Sequence, residues 1–230
     1  MKSLTRRIIK LFFGLFLYAT GIVLTINANI GLSPWDVFHQ GLSNTVGITM
    51  GQANIIGGFA IIIYNAFAGE KIGWGTISNM IFIGIFVDIL MLNRLIPVFH
   101  NIILQIVMMG LGMLVIGAAT YFYISVGLGS GPRDGLMIAL TKKTNKSVRF
   151  IRSCIEITVV VLGSLLGGSF GIGTLIMAFA MGPCVQFVFK LFKFNVKGVK
   201  HRFIDEDIKY IKDRFILKNN RDNKVDCEEL

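Results

Sequence analysis

A chain of 230 residues that is 53% apolar and 16% charged, with a mean hydropathy of +0.68, is too apolar for a soluble domain of its size. The formal net charge of +10 invites a nucleic-acid reading, but Lys and Arg lie mostly between or after long apolar runs, where they orient a membrane protein, so no nucleic-acid partner is expected. Cys154, Cys184 and Cys227 offer neither a disulfide framework nor metal-ligand spacing; the first two read as small apolar fillers, and no metal or cofactor is expected.

A bilayer core about 30 Å thick requires roughly 20 apolar helical residues per crossing. Six stretches come close to that, at 8–29, 49–68, 74–92, 102–125, 150–167 and 173–190. The first follows Lys2, Arg6, Arg7 and Lys10 in the manner of a signal peptide. Its apolar run is longer than a signal's and no small-residue cleavage site closes it, so it reads as a retained span.

After the first span comes "GLSPWD", from Gly31 to Asp36. Ser33 fits an N-cap and Pro34 the first helical position, where a missing N–H costs nothing; Asp36 at N3 reaches back to the cap amide. The helix it opens, about 34–46, is too short to cross. It lies at the interface with Trp35 among the headgroups, or it dips in as a re-entrant segment. Asp36 and His39 share a face but do not make a metal site. In the second span, Gln52 and Asn54 can hydrogen-bond to neighbouring helices.

Gly73-Trp74-Gly75-Thr76 reads as a tight turn between the second and third spans, its glycines supplying positive φ and its Thr a cap. It lacks the Lys and the strand of a phosphate loop. Asp88 closes the third span as a solvated end residue.

The second half restates these features. Gly129 to Asp134 reads "GSGPRD", with Gly131 at the cap, Pro132 at N1 and Arg133 beside Asp134; Gly171-Ile172-Gly173-Thr174 repeats the glycine turn. Glu156 falls inside the fifth span, where a charge costs roughly 2.5–3.5 kcal/mol. Arg152, one helical turn earlier, is placed to pair with it, and Arg149 extends the stripe. The pair reads equally as a structural ion pair or as part of a pathway.

Shifting the chain by 98 positions aligns 14–90 with 112–188 without a gap and gives 12 identities. Each segment holds 12 glycines, of which 6 coincide where chance aligns about 2. Each unit has three spans, so the second enters from the opposite side. Charge supports this: with the N-terminus inside, the inner segments before the tail hold 10 Lys and Arg against one, Arg94, outside. The expected architecture is an all-α polytopic protein of about six transmembrane helices in two inverted three-helix repeats. Residues 1–200 form one membrane domain, with repeat one at 8–92 and repeat two at 102–190. Residues 201–230 form a cytoplasmic tail with a short amphipathic helix bearing Ile204, Ile208, Ile211 and Phe215.

"GLSPWDVFHQGLS", "GQANII", "GWGTISNMIFIGIFVDI", "GSGPRDGLMIAL" and "GIGTLIMAFAMGP" together resemble the YczE branch of the YczE/YyaS/YitT group of bacterial integral membrane proteins, over roughly residues 8–190. The family pattern falls on Pro34, Asp36, Gly75, Thr76, Asp88, Pro132, Arg133, Asp134, Arg152, Glu156, Gly173 and Thr174. Ser33, where glycine is frequent, and the glycine-free loop "TKKTNKS" depart from it. The resemblance implies location and fold, and no activity.

The expected function is that of a bacterial plasma-membrane protein with both termini cytoplasmic, not an enzyme. It moves a small solute or lipid-like molecule by alternating access, in contact with the bilayer and with a homo-oligomer as a further expected partner. Asp36, Asp134, Arg133, Arg152, Glu156 and Asp88 are the candidate substrate or coupling residues. Gly31, Ser33, Pro34, Gly73, Gly75, Thr76, Gly129, Gly131, Pro132, Gly171, Gly173 and Thr174 are the structural motif. The alternative is a non-transporting membrane regulator or assembly partner whose basic inner loop and tail dock another protein.

Overall fold

Backbone amides in hydrocarbon find no water, so apolar runs of this length must pair their own N–H and C=O groups in helices. A computed structural model, which describes residues 2–199 and 201–206, has eight α-helices and no strand among those residues. They are α1 (Lys2–Asn27), α2 (Pro34–Val46), α3 (Met50–Phe67), α4 (Trp74–Leu92), α5 (Ile102–Ile124), α6 (Pro132–Thr144), α7 (Val148–Leu165) and α8 (Ile172–Leu191). The expected bounds of the six apolar stretches hold to within a few residues except at the start of α1. Five helices, α1, α3, α4, α5 and α8, are long and apolar enough to cross a membrane. α7 is about as long as α3, but Arg149, Arg152 and Glu156 keep it out of that apolar set.

α1 is the centre of the bundle, packed between α4 and α5. Leu15, Ala19 and Val23 are fully buried, in one cluster with Ile83, Val87 and Leu90 of α4 and Ile116 and Tyr123 of α5. α1 and α5 run antiparallel and meet at Gly21 and Gly112, where a Cβ on either would stand 3.0 Å from the other's carbonyl oxygen. With no hydrophobic drive between helices in lipid, such close backbone approach is what holds them. α3 packs on α4 and α5 on α8, while the short helices cross over: α2 lies on α7 and α6 on α3. The outward faces are apolar, with Phe67 and Phe179 at least 80% exposed, as contact with lipid requires.

The glycine turns have a different reason from the one expected. Positive φ occurs at Gly69 and Gly167, before the turns, and at Gly31 and Gly129 in the other pair of loops. Gly73 and Gly171 have ordinary negative φ. They are glycine because each turn receives a loop from the other half. Gly75 N–H donates to the Leu128 carbonyl (2.7 Å) and Gly173 N–H to the Ile30 carbonyl (2.7 Å). Thr76 and Thr174 sit at N3, and their hydroxyls accept from Gly73 N (3.3 Å) and Gly171 N (3.2 Å), which caps α4 and α8 from within.

The segment after α8 returns across the end of the bundle at which α4 begins. Arg202 N–H donates to Gly127 O (2.8 Å) and Ile204 N–H to Ile72 O (3.0 Å), while Lys71 faces Asp205 (3.5 Å) and Glu206 (3.4 Å). Of the expected tail helix only Ile204 is described; Ile208, Ile211 and Phe215 lie outside the described residues. Asp205 first, then Glu206, raises the Lys71 ammonium above its ordinary 10.5. A raised folded pKa means the electrostatic part of this clasp is complete below pH 10.5 and is lost as pH rises through the folded value. Both partners are solvent-exposed, so the contacts also screen with salt. Lys71→Glu is therefore expected to speed tryptic cleavage at Arg202 severalfold, with smaller gains for the unmodified protein in high salt or above pH 10.5.

Candidate functional site

α2 and α6 are built alike and start in the interior. Ser33 caps α2, its hydroxyl hydrogen-bonding the Asp36 carboxylate while Asp36 N–H donates to Ser33 Oγ (3.4 Å). Pro34 takes the first helical position, and Gly47 at φ 74° ends the helix. Gly131 and Pro132 do the same for α6, and Asp134 is hydrogen-bonded to the Gly131 backbone. The buried Asn65 amide of α3 donates to Pro132 O (2.9 Å) and fixes the α6 start. Each short helix then leaves toward a different end of the bundle: Asn44 donates to Gly167 O (2.8 Å) at one end, and Lys142 binds Glu70 (2.8 Å) at the other.

Both starts open on one cavity of about 180 Å³, lined by Asp36, Asp134, Arg133, Arg152 and Glu156 together with Ser33, Pro34, Trp35 and Tyr18. Five of the six candidate residues thus meet, although the chain separates them by up to 120 positions. Asp88 does not join them. It sits where α4 ends, accepting from Thr49 Oγ (2.5 Å) and Gly51 N (2.8 Å), and so ties α4 to the start of α3. Its counterpart under the 98-residue shift, Gln186, is exposed.

Trp35 and Arg133 occupy equivalent positions of the two motifs and touch each other, the guanidinium 4.8 Å from the indole centroid. Trp35 is half-buried and lines the cavity. Arg133 also donates to Asn54 Oδ1 (3.3 Å), whose amide reaches Met80 O (3.4 Å). Asn54 bridges helices as expected. Gln52 stays local instead, accepting from Thr49 N (3.0 Å) as half of a capping box. The two aspartates differ in access: Asp36 is 3% exposed, whereas Asp134 is open to the cavity.

Arg152 and Glu156 form the expected pair, Nε to Oε1 2.9 Å, with Glu156 the less exposed partner. Their equivalents on α3 are Asn54 and Gly58, and the difference shapes the site. Gly51 and Gly58 let α3 close on α4, where a Cβ on Gly58 would stand 2.7 Å from Met80 Cγ. Arg149 and Glu156 take those two places on α7, which has no comparable packing on α8; the space beside Gly182 of α8 is open. Cys154 is exposed on α7, not a core filler.

A second cavity, of about 270 Å³, adjoins the first and shares Tyr18, Ile22, Arg133, Asp134 and Arg152 with it. Its other walls are His39, Asn54 and Asn79 with Thr120, Tyr123 and the Gly131-Pro132 start of α6. Tyr18, Asn79, Thr120 and Tyr123 carried no signal in the sequence, being single polar groups inside apolar runs. Among the described residues no three His, Cys, Asp or Glu side chains gather as a metal site would require.

The chain matches, over residues 5–190, a family described as a family of unknown function (DUF6198). It is 37% identical over 180 residues to the uncharacterized membrane protein YczE of Bacillus subtilis, covering 76% of this chain and 82% of that one. It is 31% identical over 177 residues to an uncharacterized protein of Haemophilus influenzae, covering 77% and 80%, and 30% identical over 166 residues to the uncharacterized protein YyaS of B. subtilis, covering 71% and 82%. No solved structure matches. A helical membrane protein by its apolar spans and by its likeness to YczE, the chain belongs to the DUF6198 family.

Proposed function

We propose that the protein is a six-span transporter of a small polar or amphipathic solute, built from two inverted repeats that alternate access around the cavity where α2 and α6 begin. The observation that carries this reading is the pairing of two half-length helices whose N-termini meet in the bundle interior and whose C-termini leave toward opposite ends. Discontinuous helices of this kind supply binding sites in repeat-built transporters, because their N–H groups point into the site without crossing lipid unpaired. The reciprocal loop contacts, Gly75 to Leu128 and Gly173 to Ile30, are related by the same shift of 98 residues and support the duplication. α7 is the sixth span, with Arg152 and Glu156 on the cavity wall. The Lys and Arg excess at the end holding the α1 N-terminus supports a cytoplasmic location for that end.

Arg133 and Arg152 bind the polar end of the solute, and Glu156 couples its movement by exchanging the Arg152 contact for a proton or solute. Asp36 and Asp134 occupy the N3 positions, which offsets the positive ends of their helices and leaves the guanidinium groups as the anion contacts. Single cysteines at Trp35, Arg133 and Glu156, in a protein lacking Cys154, Cys184 and Cys227, test the pathway with an impermeant thiol reagent. All three are expected to react through water, as residues that line one cavity opening to each face in turn. Blocked reaction at all three would leave a structural ion pair and sink the transport reading. In reconstituted vesicles Glu156→Gln and Arg152→Ala are each expected to lower solute flux at least tenfold.

A further inference from the structure

Asp36 and His39 are one turn apart on α2 and both almost wholly buried, at 3% and 2% exposure, yet they touch different cavities. Asp36 lines the first and His39 the second. The Asp36 Oδ1 faces His39 Nδ1 across 3.7 Å, and Asp36 Oδ2 is already engaged by the Ser33 hydroxyl. His39 Nδ1 has no hydrogen-bond partner in the structure. A buried imidazole nitrogen without a partner is costly and calls for an explanation, and histidine is the side chain suited to passing a proton near neutral pH. Met137 holds the equivalent place on α6, so fold symmetry does not require a histidine here.

We propose that Asp36 and His39 form a proton relay that joins the two cavities and carries protons through the protein with no solute bound. This rests on the alternating-access reading above and adds to it that the two cavities are reached from opposite faces. The step is an acid–base exchange. The Asp36 carboxyl, protonated from the first cavity, closes the 3.7 Å gap to hydrogen-bond distance. Its O–H bond breaks as an N–H bond forms at Nδ1, leaving a carboxylate and an imidazolium. The ring then turns its Nδ1–H to the second cavity, gives up that same proton there, and returns with its lone pair toward Asp36; Nε2 keeps its hydrogen throughout. His39 Nε2 faces Gly57 of α3, where an added Cβ would stand 3.5 Å from it.

The ionisable groups that bear on the pair come from four helices. Tyr18 of α1, Tyr123 of α5, Arg133 and Asp134 of α6, and Arg152 and Glu156 of α7 line the cavities beside it, while α3 and α8 contribute no ionisable side chain to either wall. The Arg133 guanidinium, shared by both cavities, repels an imidazolium and so favours its discharge.

The full-length protein is reconstituted in vesicles loaded with a pH-sensitive dye, and a potassium diffusion potential is imposed with no solute present. The unmodified protein is expected to acidify the lumen at least tenfold faster than protein-free vesicles. His39→Met, which installs the side chain of the equivalent position, and His39→Gln are both expected to fall to the protein-free rate while eluting as folded protein. Proton entry that persists in folded His39→Met overturns the relay, and so does an unmodified protein that holds pH as tightly as bare vesicles. Neither result touches solute transport, which is read separately by the cysteine labelling and by flux in Glu156→Gln.

Discussion

Gly73→Ala is expected to lower the unfolding midpoint of the protein sharply. A Cβ built there overlaps the Leu128 carbonyl oxygen and stands 2.7 Å from Gly129 Cα. Both obstacles are backbone, so no rotamer change relieves the clash. The Gly75 N–H to Leu128 bond, 2.7 Å long, must lengthen or break with the loop that carries it. Overpacking a well-filled site costs about 1–3 kcal/mol, and loss of the buried backbone bond adds about 1–3 kcal/mol more. The sum, about 2–6 kcal/mol, is a large share of the roughly 5–15 kcal/mol of a typical domain. Gly182→Ala is the matched control, since nothing lies within 4 Å of the added carbon and Ala is the better helix former. Unfolding midpoints of purified protein in detergent decide the matter: a folded Gly73→Ala protein with an unchanged midpoint would remove the cross-half docking from the account of stability.

Asp88→Ala is the second large effect expected, and it separates stability from transport. The carboxylate holds the Thr49 hydroxyl (2.5 Å) and the Gly51 amide (2.8 Å) at the first turn of α3, so its removal strips two charge-assisted bonds from the α3–α4 contact. The expected cost is about 2–3 kcal/mol. The contact is tight here, because Gly51 and Gly84 bring the two backbones together at the same level. Asp88 borders neither cavity, so solute flux and proton entry per folded molecule are expected to match the unmodified protein. Lost flux in protein that retains its folded profile would return Asp88 to the pathway.

Much of the fold was legible because the bilayer imposes it. A run of about 20 apolar residues has few alternatives to a helix, and the limits of α3, α4, α5 and α8 follow directly from where the apolar runs stop. Caps are local, so Ser33-Pro34 and Gly131-Pro132 announce helix starts wherever they are placed. Arg152 and Glu156 pair because a helical turn puts them side by side.

Tertiary structure alone decided what those elements meet. Trp35 meets Arg133, a contact across 98 residues that no local rule contains. Gly73 and Gly171 looked like conformational glycines; only the approach of the Leu128 and Ile30 loops reveals them as steric ones. Asp88 shares its residue type with Asp36 and Asp134, but only packing separates the staple at the end of α4 from the groups that open on the cavity. The sequence by itself determined helices, caps and near-neighbour pairs, since these depend on periodicity and on hydrogen bonds a few residues long. The composition of the cavity depends on which faces of distant helices close together, as where Gly51 and Gly58 let α3 close on α4 while Glu156, in the place of Gly58 on α7, lines the cavity.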